Sequence, residues 1–210
     1  MSEPSFKLEA NLIEQGFDQI AGVDEVGRGS LSGPVTAAAV ILDPANVPKG
    51  LKDSKKLTRN RREETVKDIL RTSKVGLTHV SVSVIDDINI LQASLRAMKE
   101  AINLLNSKPC FVLVDGNKLP PNLSCDGRPI VKGDELSLSI AAASVVAKVA
   151  RDNLMKELSR DHPEYGWEKN AGYPTKQHVK ALNTFGVTAH HRRSFAPVYK
   201  ILCQKNKINN

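Results

Sequence analysis

Asp24 and Glu25 stand side by side at the end of an apolar run and directly against the glycine-rich turn Gly27-Arg28-Gly29, within Ala21-Gly-Val-Asp-Glu-Val-Gly-Arg-Gly-Ser-Leu-Ser-Gly-Pro-Val35. Adjacent carboxylates in such a place suit a metal ion. Glycines beside them let backbone approach a ligand more closely than any residue with a Cβ allows. A polar turn between two strands is the commoner meaning of an Asp-Glu-x-Gly stretch, so partners elsewhere in the chain must decide. A phosphate loop is excluded: Gly22-Val-Asp-Glu-Val-Gly27 has the glycine spacing, but Arg28-Gly29 stands where Lys-Ser/Thr is required, and two carboxylates inside the loop would repel phosphate. Gly27-x-Gly29-x-x-x-Gly33 misses the dinucleotide spacing and precedes a strand where a helix is needed.

Asp115 and Asp134 are the natural partners. Each follows an apparent strand, and the strands of one sheet can bring residues distant in sequence to a shared edge. Oxygen ligands of this kind hold hard cations such as Mg²⁺ and Mn²⁺, and two such ions roughly 3.5 to 4 Å apart can activate an attacking water and stabilise a leaving oxygen in phosphoryl transfer. Clustered acids repel one another, a cost that a metal offsets. On position alone, Asp115 and Asp134 are equally well read as loop acids unrelated to the first pair.

The elements that must position these acids follow from periodicity. Gln19 to Val23 and Pro34 to Leu42 are predicted strands joined through the glycine turn as a hairpin. Thr58 caps a helix reaching about Arg71, and Val80, Val82 and Val84 alternate at the strand period. Ile88, Leu91, Leu95, Met98, Ile102 and Leu105 form one helical apolar face. Cys110 to Val114 is a short continuous apolar run of the kind buried on both faces, and it delivers Asp115. Ile130-Val131 is a brief predicted strand leading to Asp134, and Ser137 to about Ser159 a long helix whose small apolar first half can pack closely on a sheet. Alternating strands and helices predict an α/β fold with a mixed sheet flanked by helices. From about Asp161 the pattern is irregular and partly helical, and Lys205 to Asn210 is expected to be a disordered polar tail.

Composition narrows the partners. The 210 residues suffice for one sizeable core, and no linker divides them, so one domain is expected. Thirty Lys and Arg against 23 Asp and Glu give a formal net charge of +7, which favours a polyanion. Cys110, Cys125 and Cys203 are odd in number and lack metal-binding spacing, which argues against a disulfide framework or a zinc site and for a reducing cytosol. No run of about 18 apolar residues exists and the N-terminus is polar, so neither a membrane span nor a signal peptide is expected.

The ordered blocks Asp24-Glu-Val-Gly-Arg-Gly-Ser-Leu-Ser-Gly-Pro34, Asp53-Ser-Lys-Lys-Leu57, Val114-Asp-Gly116, Lys132-Gly-Asp134, Ser139 to Lys148, Arg151-Asp152, Gly172-Tyr-Pro-Thr175 and His191-Arg-Arg-Ser-Phe195 resemble bacterial ribonuclease HII over roughly residues 18 to 198. The resemblance implies a ribonuclease H-like catalytic domain over 18–198, an N-terminal extension over 1–17 and a polar tail over 199–210. It implies metal ligation and catalysis by Asp24, Glu25, Asp115 and Asp134 with two Mg²⁺ or Mn²⁺ ions. The implied substrates are RNA–DNA hybrids and duplex DNA holding a lone ribonucleotide, cut 5′ of that ribonucleotide to leave 3′-hydroxyl and 5′-phosphate ends. It implies a cytoplasmic monomer.

Telling RNA from DNA requires sensing the 2′-hydroxyl, which donates and accepts hydrogen bonds. By the resemblance, Gly27, Arg28 and Gly29 do this together with Tyr173, whose ring stacks on the sugar of the next deoxynucleotide and reads the RNA-to-DNA junction. Lys52, Lys55, Lys56, Arg59, Arg61 and Arg62 form the densest basic run, and Lys148, Arg192 and Arg193 add to it. Such runs are usually solvated faces. The resemblance puts Lys55 or Lys56, and Lys148, on phosphates. His190 and His191 are general-base candidates by type, but a structural role is preferred because a two-metal site generates its nucleophile without an imidazole. Asp152 is expected to hold the long helix in place. Two competitors stand: ribonuclease HIII, whose extra N-terminal domain does not fit into about twenty residues, and a catalytically inactive nucleic-acid-binding module of the same fold, against which the intact acids argue.

Overall fold

The computed structural model of the chain describes residues 3–51, 54 and 57–208, with side chains up to 204. The chain forms two compact units, the first Met1–Val26, Thr36–Thr78 and Leu95–Val149, the second Gly27–Val35, His79–Ser94 and Ala150–Asn210.

The first unit carries a sheet of five strands, β1 (Ile20–Val26), β2 (Val35–Ile41), β3 (Lys74–Val80), β4 (Phe111–Asp115) and β5 (Asp126–Ile130), in the order β3-β2-β1-β4-β5. β1 is antiparallel to β2, as the predicted hairpin requires, and parallel to β4, which is itself parallel to β5. The mixed sheet predicted from the alternating elements is therefore present. β2 is buried at every residue and β4 at all but its last, which explains why both read as unbroken apolar runs rather than alternating ones. The long helix α4 (Leu138–Asp161) begins in this unit. Its small residues Ala142, Ala143 and Ala147 are fully buried with Val145 against Ala38 and Val40 of β2. The approach is so close at β1 that a Cβ on Gly22 would lie 2.1 Å from the Ser139 carbonyl carbon. Small residues are thus demanded on both surfaces.

Residues of the expected N-terminal extension form α1 (Lys7–Glu14). Leu12 joins Ile20, Phe111, Leu113 and Ile140 in a core cluster. Buried Glu9 accepts hydrogen bonds from the Ser137 hydroxyl and from the Ser139 backbone and hydroxyl, binding the start of α4. Helix α2 (Arg59–Thr72) has its predicted cap, with the Thr58 hydroxyl accepting from Arg61 N at 3.4 Å.

Two expected strands are corrected. The alternation Val80, Val82, Val84 is not a strand: β3 ends at Val80, and Val82 opens helix α3 (Val82–Asn103). Ser81 starts that helix, its carbonyl accepting from Ile85 N at 3.1 Å, and three alternating valines carry less information than a Ser cap. Within α3, Asn89 breaks the helix at φ 66 and its side chain accepts from Leu91 and Gln92 N, restarting the chain as the predicted apolar-faced segment. The brief strand at Ile130-Val131 lies instead over β5, Asp-Gly-Arg-Pro-Ile, a polar, mostly exposed edge strand set by pairing with β4 rather than by its composition.

The second unit gathers the glycine loop 27–35, the end of α4 and the short helices α5 (Trp167–Asn170), α6 (Lys176–Phe185) and α7 (Ala196–Ile208). Its core is Leu31, Met155, Tyr165, Trp167, Leu182, Val198 and Ile201. The expected polar tail is corrected in part: α7 runs on to Ile208, because Val198 and Ile201 bury one side of it.

Candidate active site

The parallel register of β1 on β4 pairs Val23 with Val114, so one further step sets Asp24 beside Asp115. Asp24 and Glu25 are inside β1 rather than past its end, and Asp115 is the last residue of β4. Carboxylate oxygens of Asp24, Glu25 and Asp115 all lie within 4.8 Å of one another. Asp134 stands in the single helical turn Gly133–Glu135 after β5, 7% exposed. Asp115 Oδ1 accepts from Gly133 N at 2.7 Å, which fastens that turn to the end of β4, and Asp134 is near enough to act on the charge of Asp24.

Burial holds the Asp24 carboxyl well above its ordinary pKa, reinforced by the charges of Glu25, Asp115 and, more weakly, Asp134, and opposed by a hydrogen bond from Ser144. Such a cluster is strained by its own charge. Its donors are hard carboxylate oxygens, the set that suits a divalent cation, and a cation relieves the repulsion. A divalent metal therefore fits these residues.

Ser144, which had only a place in a motif and no role, lies on α4 and holds two neighbours. It hydrogen-bonds to Asp24, and its hydroxyl is 2.9 Å from that of Ser54, in the Asp53 to Leu57 block. Lys148 is one helical turn further on the same face as Ser144, half-buried. Lys55 and Lys56, with Lys52 and Asp53, lie outside the described residues.

Within the second unit the glycine loop is built over two buried arginines. Arg151 donates to the carbonyls of Pro34, Ala171 and Ser32 at 2.9, 2.8 and 3.1 Å. Arg192 donates to those of Gly33, Arg28 and Pro34 at 3.0, 3.0 and 3.1 Å. Arg192 is fully buried and tied to backbone, so it leaves the basic surface where its sequence neighbours had placed it. Neighbouring Arg193 stays exposed, its N–H donating to Asp86. Gly27 and Gly29 of this loop differ. Gly27 is buried at φ +94, and a Cβ there would lie 2.2 Å from Arg151 Nε; Gly29 is exposed and a Cβ would meet only Tyr173 Cε1, at 3.7 Å. Only Gly29 offers open backbone to a ligand. Gly27 is glycine to make room for a side chain beneath it.

Tyr173 follows Gly172, whose carbonyl accepts from Leu31 N at 2.8 Å, so the tyrosine and the glycine loop share one place in this unit. Tyr173 is 36% exposed, and the centroid of its ring is 6.0 Å from the Arg151 guanidinium carbon. The two histidine candidates part company. His191 is buried, and burial with the nearby His178, His162 and His190 brings its pKa down to about 3, so it stays neutral and inward-facing. His190 is half-buried, its pKa lowered chiefly by burial.

A mixed sheet in this strand order, with carboxylates gathered on adjacent parallel strands, defines a ribonuclease H-like protein. The family model described as Ribonuclease HII matches residues 21–198. Ribonuclease HII of Ruegeria pomeroyi is 56% identical over 205 residues, spanning 98% of this chain and 88% of that one, and ribonuclease HII of Paracoccus denitrificans is 54% identical over 205 residues, spanning 98% of each. The crystal structure of ribonuclease H2 from Pyrococcus horikoshii superposes with a TM-score of 0.76 at 26% identity, covering 90% of this chain and 100% of that one. The chain belongs to the ribonuclease HII family and is a ribonuclease H.

Proposed function

We propose that this enzyme hydrolyses the RNA strand of RNA–DNA hybrids and cuts 5′ of single ribonucleotides embedded in duplex DNA. The observation that carries this reading is the convergence of Asp24, Glu25 and Asp115 within 4.8 Å in the fold of the family, beside a turn that holds Asp134. These residues would hold two divalent ions, Mg²⁺ or Mn²⁺. When bound, the ions make an attacking water more acidic and stabilise charge on the phosphate and the leaving oxygen. The chain's own contribution is placement. Ser144 keeps Asp24 turned into the cluster, and Lys148, on the same helix face, supplies a cation for a substrate phosphate. The bond broken is P–O3′, so the upstream nucleotide leaves with a 3′-hydroxyl and the ribonucleotide keeps a 5′-phosphate.

Recognition is assigned to the second unit. Gly29, open to solvent, presents backbone donor and acceptor groups to a 2′-hydroxyl, with Gly27 and Arg28 holding the loop's shape. The exposed Tyr173 ring stacks on the deoxyribose that follows, which distinguishes a junction from continuous RNA. Lys55 and Lys56 are proposed as further phosphate contacts. The protein acts as a monomer in the cytoplasm in this reading, with residues 18–198 as its catalytic domain.

The test is cleavage of labelled duplexes containing one ribonucleotide, four ribonucleotides or an all-RNA strand, with Mg²⁺, with Mn²⁺ and with chelator. Metal-dependent cutting of all three, 5′ of the lone ribonucleotide, is expected. Cutting of single-stranded RNA alone, or activity that survives chelation, would overturn the proposal.

A further inference from the structure

Tyr173 puts an exposed ring on a backbone that is anchored from behind. Its carbonyl accepts from Thr175 N at 2.8 Å and lies 3.0 Å from Nδ1 of His178, a buried residue in the first turn of α6. The surroundings of His178 decide which of its nitrogens carries the proton. Trp167 Nε1–H can only donate, and it points at His178 Nε2 from 3.1 Å. Nε2 must therefore accept. The ring proton is then on Nδ1, facing a carbonyl that can only accept.

A second imidazole backs up this assignment. Thr188 N–H, again a pure donor, points at His191 Nδ1 from 3.1 Å, which places the His191 proton on Nε2, 3.2 Å from His178 Nε2. Trp167, His178 and His191 are all at most 1% exposed, which shields these contacts from bulk solvent. The four imidazole nitrogens are thus used in one consistent direction that ends at the carbonyl of Tyr173, with the single lone pair of His178 Nε2 shared between Trp167 and His191.

We infer that His178 is a positioning residue for junction recognition: its Nδ1–H, kept in that tautomer by Trp167 and His191, fixes the Tyr173 carbonyl and so the angle at which the ring is presented beside Gly29. This rests on the reading of Tyr173 as the residue that senses the junction. Asn places an amide nitrogen near the position of Nδ1, whereas Gln places its amide near Nε2, and the two substitutions therefore separate the donor to Tyr173 from the acceptor of Trp167.

Single-ribonucleotide and all-RNA cleavage are measured, as kcat and KM, for the parent, His178→Asn, His178→Gln, Tyr173→Ala and the double variant His178→Gln/Tyr173→Ala, with thermal melts alongside. His178→Gln should lower the single-ribonucleotide to hybrid ratio about fivefold, the effect of one lost hydrogen bond, chiefly through kcat. His178→Asn should stay within about twofold of the parent, and the Gln substitution should change nothing further in the Tyr173→Ala background. Equal ratios for Asn and Gln, or a Gln effect that persists without the tyrosine ring, would overturn the inference while leaving the role of Tyr173 standing. An unmoved ratio in Tyr173→Ala would refute the reading of the tyrosine and the inference with it. Nitrogen-15 NMR of the unsubstituted enzyme tests the tautomer independently of any variant: a proton found on His178 Nε2 would end the argument.

Discussion

Asp24 is buried beside Glu25 and Asp115, a placement that opposes its own ionisation, so its charge is useful only when a cation shares the site. Asp24→Asn keeps the shape and removes the charge. Turnover should fall by roughly 10²-fold or more, while the melting temperature without metal should stay level or rise, because a repelled carboxylate is gone. A metal present at about 100 times its Kd stabilises the parent by about 2.7 kcal/mol, and that increment should vanish in the variant. Near-normal activity of Asp24→Asn at saturating Mg²⁺ would remove it from the metal site. The buried histidines behave oppositely. His191 titrates near 3 when folded and near its ordinary value of 6.5 when unfolded, and His178 is also shifted down, chiefly by burial. Below 6.5 the unfolded chain binds the extra protons, so stability is fully present above that pH and is lost as pH falls toward 3, at up to about 1.4 kcal/mol per pH unit for each group. Urea unfolding between pH 7.5 and 5 should show this decline, and His191→Asn, which takes up no proton, should lessen it. A slope identical in parent and variant would show that His191 is not the acid-labile group.

At the level of elements, the glycine loop separates stability from recognition. Gly27→Ala forces a Cβ at φ +94 into the Arg151 guanidinium and should cost on the order of 1 to 3 kcal/mol on every measure of folding. Gly29→Ala meets nothing closer than 3.7 Å and should fold normally, yet lose cleavage of all ribonucleotide substrates alike, since it crowds the backbone proposed to meet the 2′-hydroxyl. Matching melts for the two variants would contradict this division. Here the limits of sequence are plain. The motif Gly27-Arg28-Gly29 could be read as a close-approach loop, but nothing in its own residues says that one glycine is open to solvent and the other faces an arginine more than a hundred positions away. Arg192 reads as basic and hence exposed, and Arg151 as one residue of a motif, because sequence carries no sign that five backbone carbonyls turn inward to receive the two side chains. The acids were legible because Asp115 is the first charge after the apolar run of β4, and because Asp24 and Glu25 interrupt the otherwise apolar β1. Strand β5 was not, since pairing at a sheet edge overrode its composition.

Over the whole molecule, a formal charge of +7 predicts that duplex affinity falls linearly with salt on logarithmic axes. Each lysine that displaces a counterion contributes about 0.9 to that slope, so Lys56→Ala should flatten it by about that amount with little change in substrate preference. Filter binding on catalytically silent Asp24→Asn protein across about 50 to 200 mM salt checks this, and a slope equal to that of the Asp24→Asn background would return Lys56 to the solvated surface.

The hydrogen bond between Glu9 and the Ser137 hydroxyl joins residues 128 positions apart. As the chain leaves the ribosome, α1 emerges long before the serines that donate to Glu9 and before Phe111, Leu113 and Ile140, which pack with Leu12. Until then, helix α1 has an apolar side with no place to go, and eight residues are too few to be a stable helix alone. Closing so long a loop costs entropy before it returns any contact, which puts this clasp late in the order of folding events. A substitution at Glu9 should therefore leave the refolding rate nearly unchanged and express itself as faster unfolding, which makes the first helix a setting for the lifetime of the folded enzyme rather than for its rate of birth.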